Sequence, residues 1–211
     1  QEPDLILMAG DMINDISKDS HVAVELIEQV KDIAPVYYSL GNQEEDYIGR
    51  GTSDLLNELK DAGAIVLDES YQDIQVNGNA IRLGGMYDYA FALDGNNTTK
   101  KKNMRPSLYQ FLTDFQDTDS YRLMMAHRPD SFIFGDAAKT WEIDLVVSGH
   151  NHGGQVILPF LGGIYGGDQG WFPKYVDGVH HFKKVKNMVI TRGLGSGEEK
   201  PPAFKNKPEL A

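Results

Sequence analysis

Short apolar runs and helical spacing alternate along the first third of the chain. Three runs are typical of buried strands, at residues 5–9, 36–40 and 64–67. Apolar residues recur at helical spacing after Ser20, and Thr52 or Ser53 is expected to cap a second helix that ends at Gly63. The order β-α-β-α-β indicates a largely parallel sheet in an α/β protein.

The pattern changes after residue 70. Two alternating segments around Asn77-Gly78-Asn79 predict a β-hairpin. Helices are predicted at 106–115 and 130–139, and further strands at 122–126, 144–148 and 188–191. No repeat or linker interrupts the chain, so we expect one domain over residues 1–211. The absence of an initial Met and of any closing signal suggests a fragment at both ends.

Composition narrows the class of protein. Of 211 residues, 41% are hydrophobic and 24% charged, as in globular proteins, and no apolar run approaches the roughly 18 residues of a membrane span. The absence of cysteine excludes disulfides and thiolate metal sites. A net charge of −11 argues against long nucleic acids as partners. It does not exclude a phosphate substrate, because bound cations reverse the local field.

Residues with metal-ligand chemistry follow four of the predicted strands: Asp11, Asn42, His127, and the pair His150 and His152. In open α/β sheets, ligands bind at the carboxyl ends of strands. Residues i and i+2 of an extended segment face the same side, so the two paired histidines can face one small volume. A carboxylate, an amide and three imidazoles suit Mn²⁺, Fe or Zn²⁺ rather than Ca²⁺.

Four segments resemble, in order, the motifs of the calcineurin-like metallophosphoesterases: GDMIND at 10–15, GNQE at 41–44, AHRPD at 126–130 and GHNHGGQ at 149–155. The tail, with FPKYVDGVHHF, ITRGLGSG and NKPEL, is similar to a bacterial branch that includes membrane-associated phosphoesterases. The resemblance implies a four-layer sandwich, in which two mixed β-sheets are flanked by helices. It also implies that the family's usual first strand is missing from this chain.

The resemblance assigns metal ligands residue by residue. Asp11 would bridge two divalent cations, and Asn42, His127 and His150 would complete the site of one of them. His152 would bind the other, whose site is only partial here. The implied reaction is hydrolysis of phosphomonoester, phosphodiester or pyrophosphate bonds by a metal-activated hydroxide.

A small phosphorylated substrate follows from the same resemblance. Arg128, Gly153 and Gly154 are the residues expected to contact it or to leave room for its phosphate. The membrane-associated branch makes a lipid-linked or cell-envelope phosphate one candidate, with any anchor expected upstream of Gln1. The oligomeric state and the compartment stay open.

Two departures from the family pattern concern the metals and the fold. The family's Asp-x-His motif, which supplies two further ligands to the cation that His152 would bind, does not occur before Asp11. A central strand cannot be left out without exposing unpaired backbone. We therefore expect a segment that is present beyond this chain, a strand from another chain, or a rearranged sheet.

A third departure concerns proton transfer. Gln43 stands where the family has the histidine that serves as general acid, and an amide cannot do general acid catalysis. Losing such a group typically costs about 10²–10⁴-fold in rate, and substrates with good leaving groups suffer least. Asn14 stands where many members have an aspartate that orients this histidine, so we expect an Asn14–Gln43 hydrogen bond.

The sequence leaves three hypotheses. The first is a divalent-metal phosphohydrolase, and the second is a catalytically impaired, phosphoesterase-like binding protein, which Gln43 favours. The third, a nucleotide-binding module at 193–197, is weak because no helix pattern follows those glycines.

Overall fold

The computed structural model describes residues 2–51, 54–195 and 204–211. The helices are α1 His21–Val30, α2 Asn42–Gly49, α3 Leu55–Ala62, α4 Pro106–Gln116, α5 Asp130–Ile133 and α6 Ala137–Thr140. The strands are β1 Ile6–Met8, β2 Val36–Tyr38, β3 Ala64–Val66, β4 Ser70–Val76, β5 Asn79–Met86, β6 Tyr121–Ala126, β7 Ile143–Ser148, β8 Ile157–Leu158, β9 Gly162–Gly163, β10 Gly178–His180 and β11 Val185–Ile190.

The strands form two main sheets and a small hairpin. The smaller sheet has the order β1-β2-β3, and its described strands are all parallel. The larger sheet is mixed, with the order β10-β11-β7-β6-β5-β4 and antiparallel pairs at both edges. Strands β8 and β9 form the two-stranded hairpin. The predicted α/β fold is confirmed.

Three apolar clusters show how the layers stack. One cluster joins the smaller sheet to α1 and α3 through buried side chains such as Ile27, Val36 and Leu59. A second lies between the two sheets and includes Tyr37, Leu83 and Met125. The third joins the larger sheet to α4, α5 and α6. Alternate residues of a strand face opposite sides of its sheet. One face of each sheet therefore packs against helices, and the other face packs against the second sheet. Each fully buried aliphatic side chain contributes about 1.5–3 kcal/mol.

The prediction of one continuous helix at 130–139 was wrong. The segment forms two short helices, α5 and α6. Gly135 interrupts it with φ +61°, and a Cβ there would overlap the backbone of Asn97. The expected cap at Thr52 or Ser53 lies outside the described residues, as do positions 196 and 197 of the glycine segment. Asp54 precedes α3, and Gly63 ends it with φ +118°.

Parallel strands place their carboxyl ends together on one side of each sheet. Strands β1 and β2 end next to each other in the smaller sheet, and β6 and β7 do so in the larger one. The loops after β1, β6 and β7 carry Asp11, His127 and His150, and Asn42 begins α2, the helix that follows β2. Within the described part of the chain, no helix has both the length and the hydropathy needed to cross a membrane.

Candidate functional site

Asp11 lies in the loop after β1, where the backbone holds its carboxylate in place. Gly10 and Asp11 both have positive φ, 87° and 56°, in the left-handed region that glycine adopts freely and aspartate tolerates. The Asp11 Oδ1 atom accepts a hydrogen bond of 2.9 Å from the backbone N–H of Gln43. A Cβ at Gly41 would overlap the same oxygen. Glycine at 41 therefore allows the loops after β1 and β2 to touch.

His127 follows β6 directly and is buried. Its Nδ1 lies 2.7 Å from the carbonyl oxygen of Ala9, which can only accept, so Nδ1 carries the proton. The Nε2 atom then faces Asp11 Oδ2 at 3.0 Å, where a proton or a metal cation must lie between the two. Burial opposes ionisation of Asp11, but the hydrogen bond and charge of His127 outweigh it and lower the pKa of that carboxyl.

His150 brings a second imidazole to the same point. Its Nδ1 lies 3.3 Å from His127 Nε2, and its φ of 63° depends on the turn after β7. Ligand atoms of Asp11, His127 and His150 all lie within 4.8 Å of one another, close enough to share one metal ion. Burial and repulsion from His127 and Arg128 lower the pKa of His150, which keeps the imidazole in the neutral form that binds metals.

Asn42 completes this group, at the start of α2. Its side-chain oxygen is buried and has no hydrogen-bond partner among the described residues. Buried polar atoms are nearly always paired, so an orphan amide oxygen on the same cavity wall as Asp11 and His150 fits the role of a cation ligand. The four residues form a mixed N/O ligand set of the kind that divalent transition metals prefer. The residues present therefore fit one divalent cation.

A small cavity of about 140 Å³ opens beside this group. Its wall includes Asp11, Asn42, Gln43, His150, His152 and Tyr165. His152 thus reaches the cavity but lies outside the cluster of three potential ligands, in a short turn at His152–Gly154. Both histidines of the pair line this cavity, but the segment is not extended as the spacing argument assumed, because His150 and His152 have positive φ of 63° and 44°. The assignment of His152 to a second cation stays a prediction.

Glu44 organises both loops and was missed by the sequence analysis as a functional residue. It is fully buried, and its carboxylate accepts hydrogen bonds of 2.7–2.8 Å from the backbone N–H groups of Asp11, Met12 and Gly41. The hydroxyl of Tyr38 donates a further bond of 2.6 Å. Burial and the charge of Glu44 raise the pKa of Tyr38, which keeps this donor protonated. The available signal was an acidic residue three positions after Gly41, as in a helix capping box.

Gln43 lines the cavity but does not contact Asn14 as expected. Its Oε1 accepts a hydrogen bond of 2.7 Å from the backbone N–H of Asp15. The Asn14 side chain is exposed and instead accepts from the N–H of Ile16 at 3.1 Å, a local turn that competes with the longer-range contact. The predicted Asn14–Gln43 hydrogen bond was wrong.

The residues expected on the substrate side have different contacts. Gly153 and Gly154 are buried, and a Cβ at either would overlap protein neighbours, Arg192 and Gly163 respectively. Their small size therefore serves the packing of the chain on itself, and the expected role of both glycines at the phosphate stays a prediction. Arg128 lies near His150, with its guanidinium donating to Asp168 at 2.7 Å.

Two relatives are similar to this chain over most of its length. A phosphodiesterase of Escherichia coli, YaeI, is 27% identical over 198 residues, which cover 93% of this chain and 65% of the relative. The uncharacterized metallophosphoesterase YkuE of Bacillus subtilis is 27% identical over 214 residues, with 99% of this chain and 66% of the relative covered. The chain thus spans just under two thirds of the length of these relatives.

A solved structure shows the same fold. The phosphopantetheinyl hydrolase of Mycobacterium tuberculosis superimposes with a TM-score of 0.52 and 12% identity, over 90% of this chain and 78% of that one. This likeness concerns the fold alone. The model of the calcineurin-like phosphoesterase family matches residues 1–154. Together with the ligand cluster at the carboxyl ends of four strands, this match shows that the chain belongs to the calcineurin-like phosphoesterase family.

Proposed function

We propose that this protein is a divalent-metal phosphohydrolase that cleaves phosphomonoester, phosphodiester or pyrophosphate bonds. The observation that carries the proposal is the convergence of Asp11, His127 and His150 with the orphan amide oxygen of Asn42. These four residues would hold one cation, and Asp11 with His152 would contribute to a second. Bound divalent cations supply a Lewis acid for the phosphoryl oxygen and lower the pKa of water.

The residues of the chain have separate tasks in this proposal. Asp11 is fixed by the Gln43 N–H, so its carboxylate is oriented before a cation binds. The lowered pKa of His150 keeps that imidazole neutral, and the Nδ1 proton of His127 on the Ala9 carbonyl directs Nε2 of His127 toward the cation. Arg128 would bind a phosphoryl oxygen, since a guanidinium presents several N–H donors in a fixed plane.

Gln43 narrows the substrate class. Its amide cannot protonate a leaving group, and its oxygen already accepts from Asp15. We therefore propose substrates whose leaving group departs without protonation, such as aryl phosphodiesters and phosphoanhydrides. The name of the Escherichia coli relative, a phosphodiesterase, supports the diester class.

Exposed aromatic side chains beside the cavity support a substrate with an apolar part. Tyr165 lies on the cavity wall and packs edge to face against Trp171, with 5.5 Å between the centroids of the two rings. Trp171 and its neighbour in the chain, Phe172, are both exposed. A lipid-linked or cell-envelope phosphate would place its apolar portion on this surface.

The second candidate is a catalytically impaired, phosphoesterase-like binding protein. The same Gln43 favours it, because a family member without the leaving-group acid can retain phosphate binding while losing turnover. Hydrolysis of an activated diester separates the two candidates.

Metal content per chain tests the proposed function. Protein is loaded with Mn²⁺, dialysed, and weighed by native mass spectrometry, and the same sample is assayed on bis(p-nitrophenyl) phosphate. We expect at least one retained Mn²⁺ per chain and hydrolysis that stops after chelation by EDTA. One retained metal without hydrolysis would favour the binding protein, and no retained metal would contradict both the metal site and the proposed reaction.

Restoring the acid at position 43 is expected to raise activity selectively. Gln43→His should accelerate hydrolysis of alkyl phosphodiesters by about 10²-fold, the lower end of what a general acid supplies, and change nitrophenyl esters little. The measurement is kcat/KM on both substrate types. Gln43→Asn, another amide, is the matched control. Equal rate changes for both substrate types would show that the leaving group is not protonated from this position.

A further inference from the structure

Asp168, which belongs to none of the four motif segments, lies beside the candidate metal centre. Its Oδ2 accepts hydrogen bonds of 2.7 Å from Arg128 Nη1 and 2.7 Å from the Tyr89 hydroxyl. The same oxygen lies 3.8 Å from Nε2 of His150. That nitrogen is buried and has no hydrogen-bond partner among the described residues. One oxygen of the Asp168 carboxylate therefore faces both His150, a proposed metal ligand, and Arg128, a proposed phosphate-binding residue.

The backbone brings this carboxylate close to His150. Asp168 belongs to a short 3₁₀ turn, Gly167–Gln169, and Gly167 has φ +44°. A Cβ at Gly167 would lie 2.8 Å from His150 Nε2, so the turn packs directly on the edge of the imidazole. The Gln169 side chain exchanges two hydrogen bonds with the backbone of Tyr175, at 2.7 and 3.0 Å. These bonds hold the turn against the segment that follows it.

We propose that Asp168 is a positioning residue, which orients His150 for the metal and Arg128 for the phosphoryl group. At 3.8 Å the Asp168 carboxylate is beyond direct hydrogen-bond distance of His150 Nε2, but its negative charge attracts an N–H on that nitrogen. It therefore favours the tautomer that leaves the His150 Nδ1 lone pair on the side of His127. The inference rests on the proposed function, since it concerns the same site.

The contacts of Arg128 give the other half of the argument. Its Nη1 is held by Asp168 and by the Tyr89 hydroxyl at 2.9 Å, and its Nη2 donates to the Tyr87 hydroxyl at 3.2 Å. The rings of Tyr87 and Tyr89 lie 5.4 and 5.6 Å from the guanidinium carbon. Asp168 also offsets the positive charge of Arg128, which would otherwise repel a cation bound at His150. The negative charge of Asp168 therefore orients both His150 and Arg128.

Asp168→Asn tests the inference, because it removes the charge and keeps the size. Two dissociation constants are measured: that of Mn²⁺, and that of inorganic phosphate at saturating Mn²⁺. We expect the Mn²⁺ constant to rise about 10- to 100-fold, as for other residues that support metal ligands, and the phosphate constant to rise as well. The absorption bands of the Co²⁺-substituted protein should also shift, which a purely structural loss would not produce in the folded fraction.

Two further variants sharpen the result. Asp73→Asn is the matched control, because Asp73 also forms an ion pair with an arginine, Arg82. Asp73 lies on β4, an edge strand of the larger sheet. Tyr89→Phe removes one hydrogen bond to Asp168 and should give a smaller change of the same sign. The inference would be overturned if Asp168→Asn left both dissociation constants and the Co²⁺ spectrum unchanged. It would also be overturned if only one of the two dissociation constants changed. A wild-type protein that binds no Mn²⁺ would instead overturn the proposed function.

Discussion

Asp11→Asn is expected to abolish retention of Mn²⁺ and to lower hydrolysis of bis(p-nitrophenyl) phosphate by about 10³-fold. The loss of about 4 kcal/mol of Lewis-acid stabilisation corresponds to this factor. Asp11 is the carboxylate of the cluster of three ligands, and the other two members, His127 and His150, bring no negative charge. Asparagine tolerates the positive φ of 56° and can still accept from the Gln43 N–H. The fold should therefore survive, and a loss of activity would report on the metal.

The matched control is Asp15→Asn, in the same loop. Asp15 pairs with Arg50 and is not among the residues that form the cavity wall. We expect it to retain Mn²⁺ and hydrolysis at the wild-type level. Metal content by mass spectrometry and initial rates are measured for both variants. An Asp11→Asn protein that keeps its metal and its rate would contradict the role of this carboxylate.

Glu44→Ala is expected to lower the free energy of unfolding by about 3–5 kcal/mol. A buried donor left without its acceptor typically costs about 1–3 kcal/mol, and Glu44 satisfies several such donors. Against a typical total of about 5–15 kcal/mol, this is a large share of the stability. Because the same bonds shape the loop that carries Asp11, the folded variant should also bind Mn²⁺ more weakly.

Urea denaturation monitored by circular dichroism measures this loss. Glu45→Ala, one position further along α2, is the control, since a partly exposed substitution usually changes stability by less than about 0.5 kcal/mol. Tyr38→Phe, which removes one donor to Glu44, should fall between the two. Equal denaturation midpoints for Glu44→Ala and wild type would show that the carboxylate does not hold the loops together.

The strand that carries each metal ligand was predictable because it depends on local pattern. A buried strand needs a short apolar run, and β2, β6 and β7 were recognisable by theirs. The residue types that end these strands also restricted the chemistry to nitrogen and oxygen ligands. The helix at 130–139 was harder to predict, because its break at Gly135 depends on the backbone of Asn97, a distant neighbour.

Side-chain partners in the site were less predictable. Asn14 was expected to reach Gln43, but its own loop offered a nearer donor in Ile16 N–H. The close packing of Gly154 on the backbone of Gly163 was likewise not predicted from the sequence. Neither outcome has a signal in the local sequence, because the competing contacts arise only when the chain is folded.

The sequence by itself determined the α/β class, the strands that end in ligands, and the N/O character of the metal site. Those properties follow from side-chain periodicity and from residue chemistry, which act over a few neighbouring positions. Only the tertiary structure decided that ligands from two separate sheets meet at one point, and that Asp168 joins Arg128 and Tyr89 beside His150. These partners are 40 and 79 positions apart along the chain, and packing of the layers alone brings them together.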